Sequence, residues 1–111
     1  MSMTLAKHYC PCCGFSELKV PAYRELGSPP WSNHGLSPYF MQYGEPSYEV
    51  CSCCGFEFGN DDNPGISPGQ SFEDYRREWI ASGAQWLDPE KRPEVWSLTE
   101  QFGPAGIISD A

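Results

Sequence analysis

A small α+β domain is the fold class that the sequence predicts, and three observations predict it. All six cysteines lie in two matched stretches, YCPCCGF at residues 9–15 and VCSCCGF at 50–56. Short apolar–polar alternations flank both stretches, as strands would. One amphipathic segment, SFEDYRREWIASG at 71–83, reads as a helix. The expected architecture is a β core of two facing cysteine turns, or knuckles, at 10–14 and 51–55. A C-terminal amphipathic helix covers that core, and a shorter helix follows.

The chain has 111 residues, enough for one domain and too few for two ordinary ones. A single domain over residues 1–103 with a frayed tail at 104–111 is expected. Eleven glycines and eleven prolines point to a loop-rich fold whose core needs outside support. Sixteen aromatic residues (four Trp, six Tyr, six Phe) argue against a disordered chain.

The opening MSMTLAKHY has no apolar run of the signal-peptide kind, and no stretch approaches a membrane span. The expected location is the cytoplasm, where thiols stay reduced and clustered cysteines read as metal ligands before disulfides. Seven basic residues stand against fifteen acidic ones, a net charge of −8. Four thiolates around one dication add two more negative charges. Phosphate backbones repel such a surface, so no nucleic-acid partner is expected.

In a Cys-x-x-Cys-Gly turn two sulfurs leave one tight bend toward the same ion, and backbone N–H groups of the bend stabilise the thiolates. The glycine takes a positive φ without a Cβ clash. That template selects Cys10 and Cys13 before Gly14, and Cys51 and Cys54 before Gly55. Two such turns complete a four-sulfur tetrahedron. Zinc suits it better than iron, because nothing in the spacing is of the cluster type. Four sulfurs leave no open coordination position, so one structural Zn²⁺ is expected.

Cys12 and Cys53 remain. Each adjoins a ligand, so its side chain diverges from the ion; the simplest reading is a compact residue filling a crowded turn. Beyond spare thiols of that kind, the sharper readings are a redox-sensing pair or a second metal site. His8, two residues before Cys10, and His34, in a proline-rich loop, are each more readily an ordinary polar side chain than a substitute ligand.

FSELKV at 15–20 suits a strand, and SYEVC (47–51) and GFEFG (55–59) read as two short strands joined by the second knuckle. The whole looks like a zinc ribbon. Residues 21–46 form a long loop broken by prolines and glycines and pinned at both ends by the knuckles. Its aromatics Trp31, Tyr39, Phe40 and Tyr43 either fold back over the core, the simpler reading, or display a contact surface. NDDNPG at 60–65 is explained by turn formation and lacks the ligand spacing of a calcium loop.

In the helix, Ser71 is the N-cap and Asp74 completes an acidic capping box. Phe72, Tyr75, Trp79 and Ile80 form the apolar stripe, Arg76, Arg77 and Glu78 fall largely on the opposite, solvated face, and Gly83 ends the helix. In QWLDPEKRPEVWSLTEQFG (85–103) the second helix is expected to begin near Pro93. Val95, Leu98 and Phe102 would share one side, with Gly103 after its end. Trp86 and Trp96 make this segment dock rather than wave in water.

CPCCG, YEVCSCCGFEFGNDD and YRREWIASGAQW together resemble a group of small, largely uncharacterised bacterial proteins with a cysteine-rich CPCC domain. The resemblance spans about residues 8–87 and rests on the paired triplets and the helix that follows. Ser52 stands where that pattern has a proline, and Phe56 follows Gly55 where it has a more acidic, aromatic run; neither departure removes a ligand. The resemblance implies a zinc-ribbon-like protein, and some similar small acidic proteins accompany bacterial toxins.

No nucleophile–base pair, phosphate loop or open metal constellation stands in the sequence, so an enzyme is not expected. The leading expectation is a zinc-stabilised binding module that contacts a protein partner, an acidic inhibitor or immunity-type protein being one form. The alternative is a thiol redox or metal-responsive protein using Cys12 and Cys53.

Overall fold

The computed structural model describes residues 7–31, 38–63 and 70–107. Regular structure among them is helical: α1 at Phe40–Tyr43, α2 at Phe72–Ala81 and α3 at Leu98–Ala105, with a 3-10 turn at Pro89–Lys91 before α3. No β-strand occurs among the described residues. Pairing is limited to isolated bridges, His8 with Glu17, Tyr23 with Pro46 and Val50 with Glu57.

The expected zinc-ribbon β core is therefore corrected. The chain builds two knuckles without the strands that would make a ribbon of them, and the reasons are local. Past the Val50–Glu57 bridge the backbone reaches Tyr48 at φ 60° and Gly59 at φ 102°, and positive φ takes both segments off an extended course. Past Tyr23, its partner Pro46 has no N–H to continue a ladder. At Lys19 the N–H goes to the Glu49 carboxylate, at 3.0 and 3.1 Å from its oxygens, instead of to a neighbouring strand.

Helix α2 follows its sequence closely. The Ser71 hydroxyl accepts the Asp74 N–H at 3.0 Å, and Gly83 takes φ 108° just beyond the end. Phe72 and Trp79 are buried, and Tyr75 and Ile80 pack against the same core. Helix α3 starts later than expected. Ser97 caps it by accepting the Glu100 N–H, so Pro93 and Val95 precede the helix and Val95 is 94% exposed. Gly103 does not stop it either; the left-handed C-cap is Gly106 at φ 76°.

The core is larger than the composition suggests, because the 21–46 loop supplies much of it. Ala22, Tyr23, Leu26 and Tyr39 are buried, while Trp31 and Tyr43 pack against them. Tyr39 stacks on Phe72 at 3.9 Å between centroids, and Tyr23 meets Tyr39, Phe58 and Phe72 edge-on. Such pairs add about 0.5–1.5 kcal/mol each beyond area burial. The simpler reading of the loop holds for these residues; Phe40, on α1, faces outward.

Beneath the loop lies Asp62, 1% exposed. It accepts hydrogen bonds from the Tyr23 hydroxyl at 2.8 Å, the Tyr39 N–H at 3.0 Å and the Gly59 N–H at 2.9 Å. A buried carboxylate is tolerated only when so satisfied. The NDDN segment (60–63) thus does more than turn the chain: its second aspartate ties loop, knuckle and core together. Pro64 and Gly65 of that turn lie outside the described residues, as does His34.

Candidate metal centre

The two knuckles repeat one hydrogen-bond scheme. In the first, the Cys10 N–H donates to the Phe15 carbonyl at 2.7 Å and the Gly14 N–H to the Cys10 carbonyl at 2.8 Å. In the second, Cys51 donates to Phe56 at 3.0 Å and Gly55 to Cys51 at 2.9 Å. Gly14 and Gly55 take φ 83° and 84°, the left-handed turn that the template requires. Phe15 and Phe56, which follow the two glycines, are both buried.

Face to face, the turns bring Cys10, Cys13, Cys51 and Cys54 together, their sulfurs all within 4.8 Å of one another and all four residues buried. The Cys10 and Cys54 sulfurs lie 3.8 Å apart, and those of Cys13 and Cys51 lie 3.6 Å apart. A tetrahedron with metal–sulfur bonds of about 2.3 Å has sulfur–sulfur edges of about 3.8 Å. The spacing is far beyond the roughly 2.05 Å of a disulfide, and all six cysteines are unbridged. The donor set fits a metal ion, as its four sulfurs and these two edges both require. The second knuckle also aims the Cys53 N–H at the Cys51 sulfur, at 3.4 Å.

Burial opposes ionisation of all four thiols, and contacts among the sulfurs modify it. Burial pushes Cys10 up to about 12, with further effects from the neighbouring sulfurs. Burial likewise raises Cys13 and Cys54 well above the ordinary thiol value. Burial opposes ionisation of Cys51 too, yet the thiols of Cys10, Cys13 and Cys54 outweigh it and hold Cys51 well below that value. A central cation is what allows all four to ionise.

The C-terminal half holds the knuckles in place by occupying their carbonyls. In the first, Arg76 donates to Cys12 at 2.6 Å and Pro11 at 3.2 Å, and the Gln101 amide donates to Cys13 at 2.9 Å. In the second, the Leu87 and Asp88 N–H groups donate to Cys53 and Ser52 at 3.0 and 2.9 Å. The Tyr75 hydroxyl donates to Cys54 at 3.0 Å. Every carbonyl from the residue after the first cysteine to the last is therefore satisfied.

Arg76 corrects an expectation. Instead of pointing to solvent it spans the first knuckle, with its guanidinium carbon 5.9 Å from the Phe102 ring centroid. The signal was present: Arg76 is four residues after Phe72 and three before Trp79, inside the apolar stripe. Gln101 carried no comparable sign.

Cys12 and Cys53 stand outside the four-sulfur group, and both are 0% exposed. The Cys12 thiol faces the Phe72 carbonyl at 3.6 Å, and the Cys53 sulfur receives the Gln101 amide at 3.4 Å. They fill space between knuckle and helix. Thiol reactivity needs exposure that neither has. His8 contributes backbone, its carbonyl accepting the Leu18 N–H at 3.1 Å, and is absent from the sulfur group.

Fold and site define a small cysteine-rich protein with a candidate metal centre of four thiols. Two proteins of Bacillus subtilis (strain 168) are similar to it. The chain is 29% identical over 68 residues to "Uncharacterized protein YoaQ", covering 52% of this chain and 58% of that protein. It is 27% identical over 95 residues to "Uncharacterized protein YozI", covering 77% of this chain and 66% of that protein. The matches thus span less than two thirds of either relative. No family model and no solved structure matches the chain, so the resemblance to CPCC-domain proteins gains no support there. No helix among the described residues is long and apolar enough to cross a membrane.

Proposed function

We propose that this protein is a non-enzymatic scaffold, held together by one zinc ion on Cys10, Cys13, Cys51 and Cys54, that binds a protein partner through its acidic surface. The observation that carries the reading is the convergence of four buried sulfurs at tetrahedral spacing. An all-sulfur set favours zinc among available divalent ions, and it leaves no coordination position for a substrate. The ion's role in this reading is to fold the chain.

A net charge of −8 supports a partner with a basic face, as an inhibitor or immunity-type protein would need. Complementary charge speeds association and excludes acidic competitors. Native mass spectrometry tests the metal: one zinc per chain is expected, and iron or disulfide-shifted masses without metal contradict it. Affinity capture tests the partner, with the zinc-loaded chain as bait. A basic protein released by high salt supports the reading; a retained set indifferent to both salt and zinc overturns it.

A further inference from the structure

Between α1 and the segments that flank the second knuckle, a cavity of about 320 Å³ is lined by Phe40, Pro46, Tyr48 and Asn63, together with Gly44, Glu45 and Gly59. Its aromatic walls are left in water: Phe40 is 48% exposed and Tyr48 55%. The wall at Tyr48 is held in a costly way. Its backbone takes φ 60°, which bulky side chains rarely adopt, and its N–H is fixed on the Phe58 carbonyl at 3.1 Å.

Gly59 forms the floor. A Cβ there would come within 2.6 Å of the Pro46 ring and 2.7 Å of the Tyr48 ring, so only glycine lets both rings lie on that surface. An exposed tyrosine in strained backbone, laid over a glycine floor beside a second open aromatic ring, is not explained by burial.

Around the cavity two carboxylates, Glu45 and Glu25, stand against one cation, Arg24. Glu45 lines the cavity, and its partner Arg24 is 3.7 Å away with both side chains largely in water, a pairing of little strength. The Glu25 carboxylate lies beside Gly44, another lining residue, 3.4 Å from where a Cβ would stand. Behind the floor, buried Asp62 accepts the Gly59 N–H. Aromatic faces carry negative quadrupole charge, and carboxylates beside them reinforce the same preference.

We propose that this pocket receives the cationic side chain, lysine or arginine, of the partner protein. The inference rests on the partner-binding reading above and gives it a point of contact. Cation–π contact with Tyr48 and Phe40 would hold the stem and head, while Glu45 supplies the opposing charge.

Backbone amide NMR shifts of the zinc-loaded full chain test it, titrated with acetyl-Gly-Lys-Gly-amide and acetyl-Gly-Arg-Gly-amide. The norleucine peptide, which keeps the lysine stem but lacks the ammonium, serves as the neutral control. Saturable shifts clustered at Phe40, Tyr48, Gly59 and Asn63 are expected, with norleucine binding weaker by about tenfold or more. Tyr48→Gly removes the ring and relieves the positive φ, so it stays folded while its response falls by a similar factor; Glu45→Gln flattens the salt dependence. An equal response to norleucine, shifts lying elsewhere, or an unchanged response in Tyr48→Gly overturns the proposal. Each of those results leaves the partner-capture experiment to decide the broader reading by itself.

Discussion

Arg76 on α2 and Cys12 in the first knuckle are joined by a 2.6 Å hydrogen bond from guanidinium Nε to backbone carbonyl. The same guanidinium reaches the Pro11 carbonyl, so one side chain serves two carbonyls of a loop that holds half the sulfur cluster. It also places a positive charge beside a site that collects negative ones.

Replacing Arg76 by Ala strands both carbonyls. Charged hydrogen bonds of this kind are each worth about 1.5–3 kcal/mol, and with partial rehydration we expect a loss of roughly 2–4 kcal/mol. Arg76→Lys keeps the charge and loses the fork, so it should fall between. Urea denaturation of the metal-loaded variants measures this; a change for Arg76→Ala within about 0.5 kcal/mol, the usual surface range, counts against the bracing role.

The cysteines divide into two classes that substitution separates. Cys10→Ser and Cys51→Ser remove a donor from the four-sulfur group and should abolish metal retention. Cys12→Ser and Cys53→Ala lie outside it and should retain one ion per chain. Elemental analysis after dialysis reads the difference. Because Cys12 and Cys53 are fully buried, alkylating reagents should modify them only once the chain unfolds. Rapid alkylation in the native protein would revive a thiol-reactive role.

Gly14 is confined by conformation and space at once. It sits at φ 83°, and a Cβ there would lie 2.6 Å from the Gln101 carbonyl oxygen on α3. Gly14→Ala should therefore part α3 from the first knuckle and destabilise by at least about 1–3 kcal/mol. Thermal denaturation tests it. Gly103, with nothing within 4 Å of its hypothetical Cβ and no positive φ, is the control whose substitution by Ala should cause no loss.

How far the sequence carried depended on how local the cause was. The paired knuckles, the Ser71 cap and the Phe72–Trp79 stripe are written in spacings of a few residues, and the structure has them. The loss of strands beside the second knuckle is not legible, because its cause is the conformation that Tyr48 and Gly59 adopt in the folded chain. Arg76 reads as solvated because of its charge, although its spacing from Phe72 and Trp79 puts it on the buried side of the helix, against the first knuckle. Asp62 was hidden for a related reason: its partners, Tyr23, Tyr39 and Gly59, meet only after the long loop folds back. Helix α3 begins later than Pro93 suggests, because Ser97 caps it through the Glu100 N–H.

Alkaline pH should loosen the fold through its tyrosines. Burial raises Tyr23 above the ordinary phenol value, with Asp62 adding to the effect. Burial also raises Tyr39 and Tyr75. A group whose folded pKa is raised binds its proton more tightly in the folded state. Its stabilisation is complete below the unfolded value of about 10 and declines as pH climbs beyond it. Ultraviolet titration should show a set of phenols ionising with the other tyrosines only in denaturant, and later than them in the native protein. A single native transition near 10 covering all six tyrosines would contradict this.

Differential scanning calorimetry before and after removal of the metal tests the central claim most directly. Structural zinc contributes roughly 10–16 kcal/mol at neutral pH, comparable to or larger than the whole stability of a small domain. The account predicts one cooperative transition for the loaded chain. For the stripped chain it predicts a transition lost or displaced far downward, despite the aromatic core around Tyr23 and Phe72. An unchanged melting temperature and heat after complete removal would show that the four sulfurs do not hold this fold together.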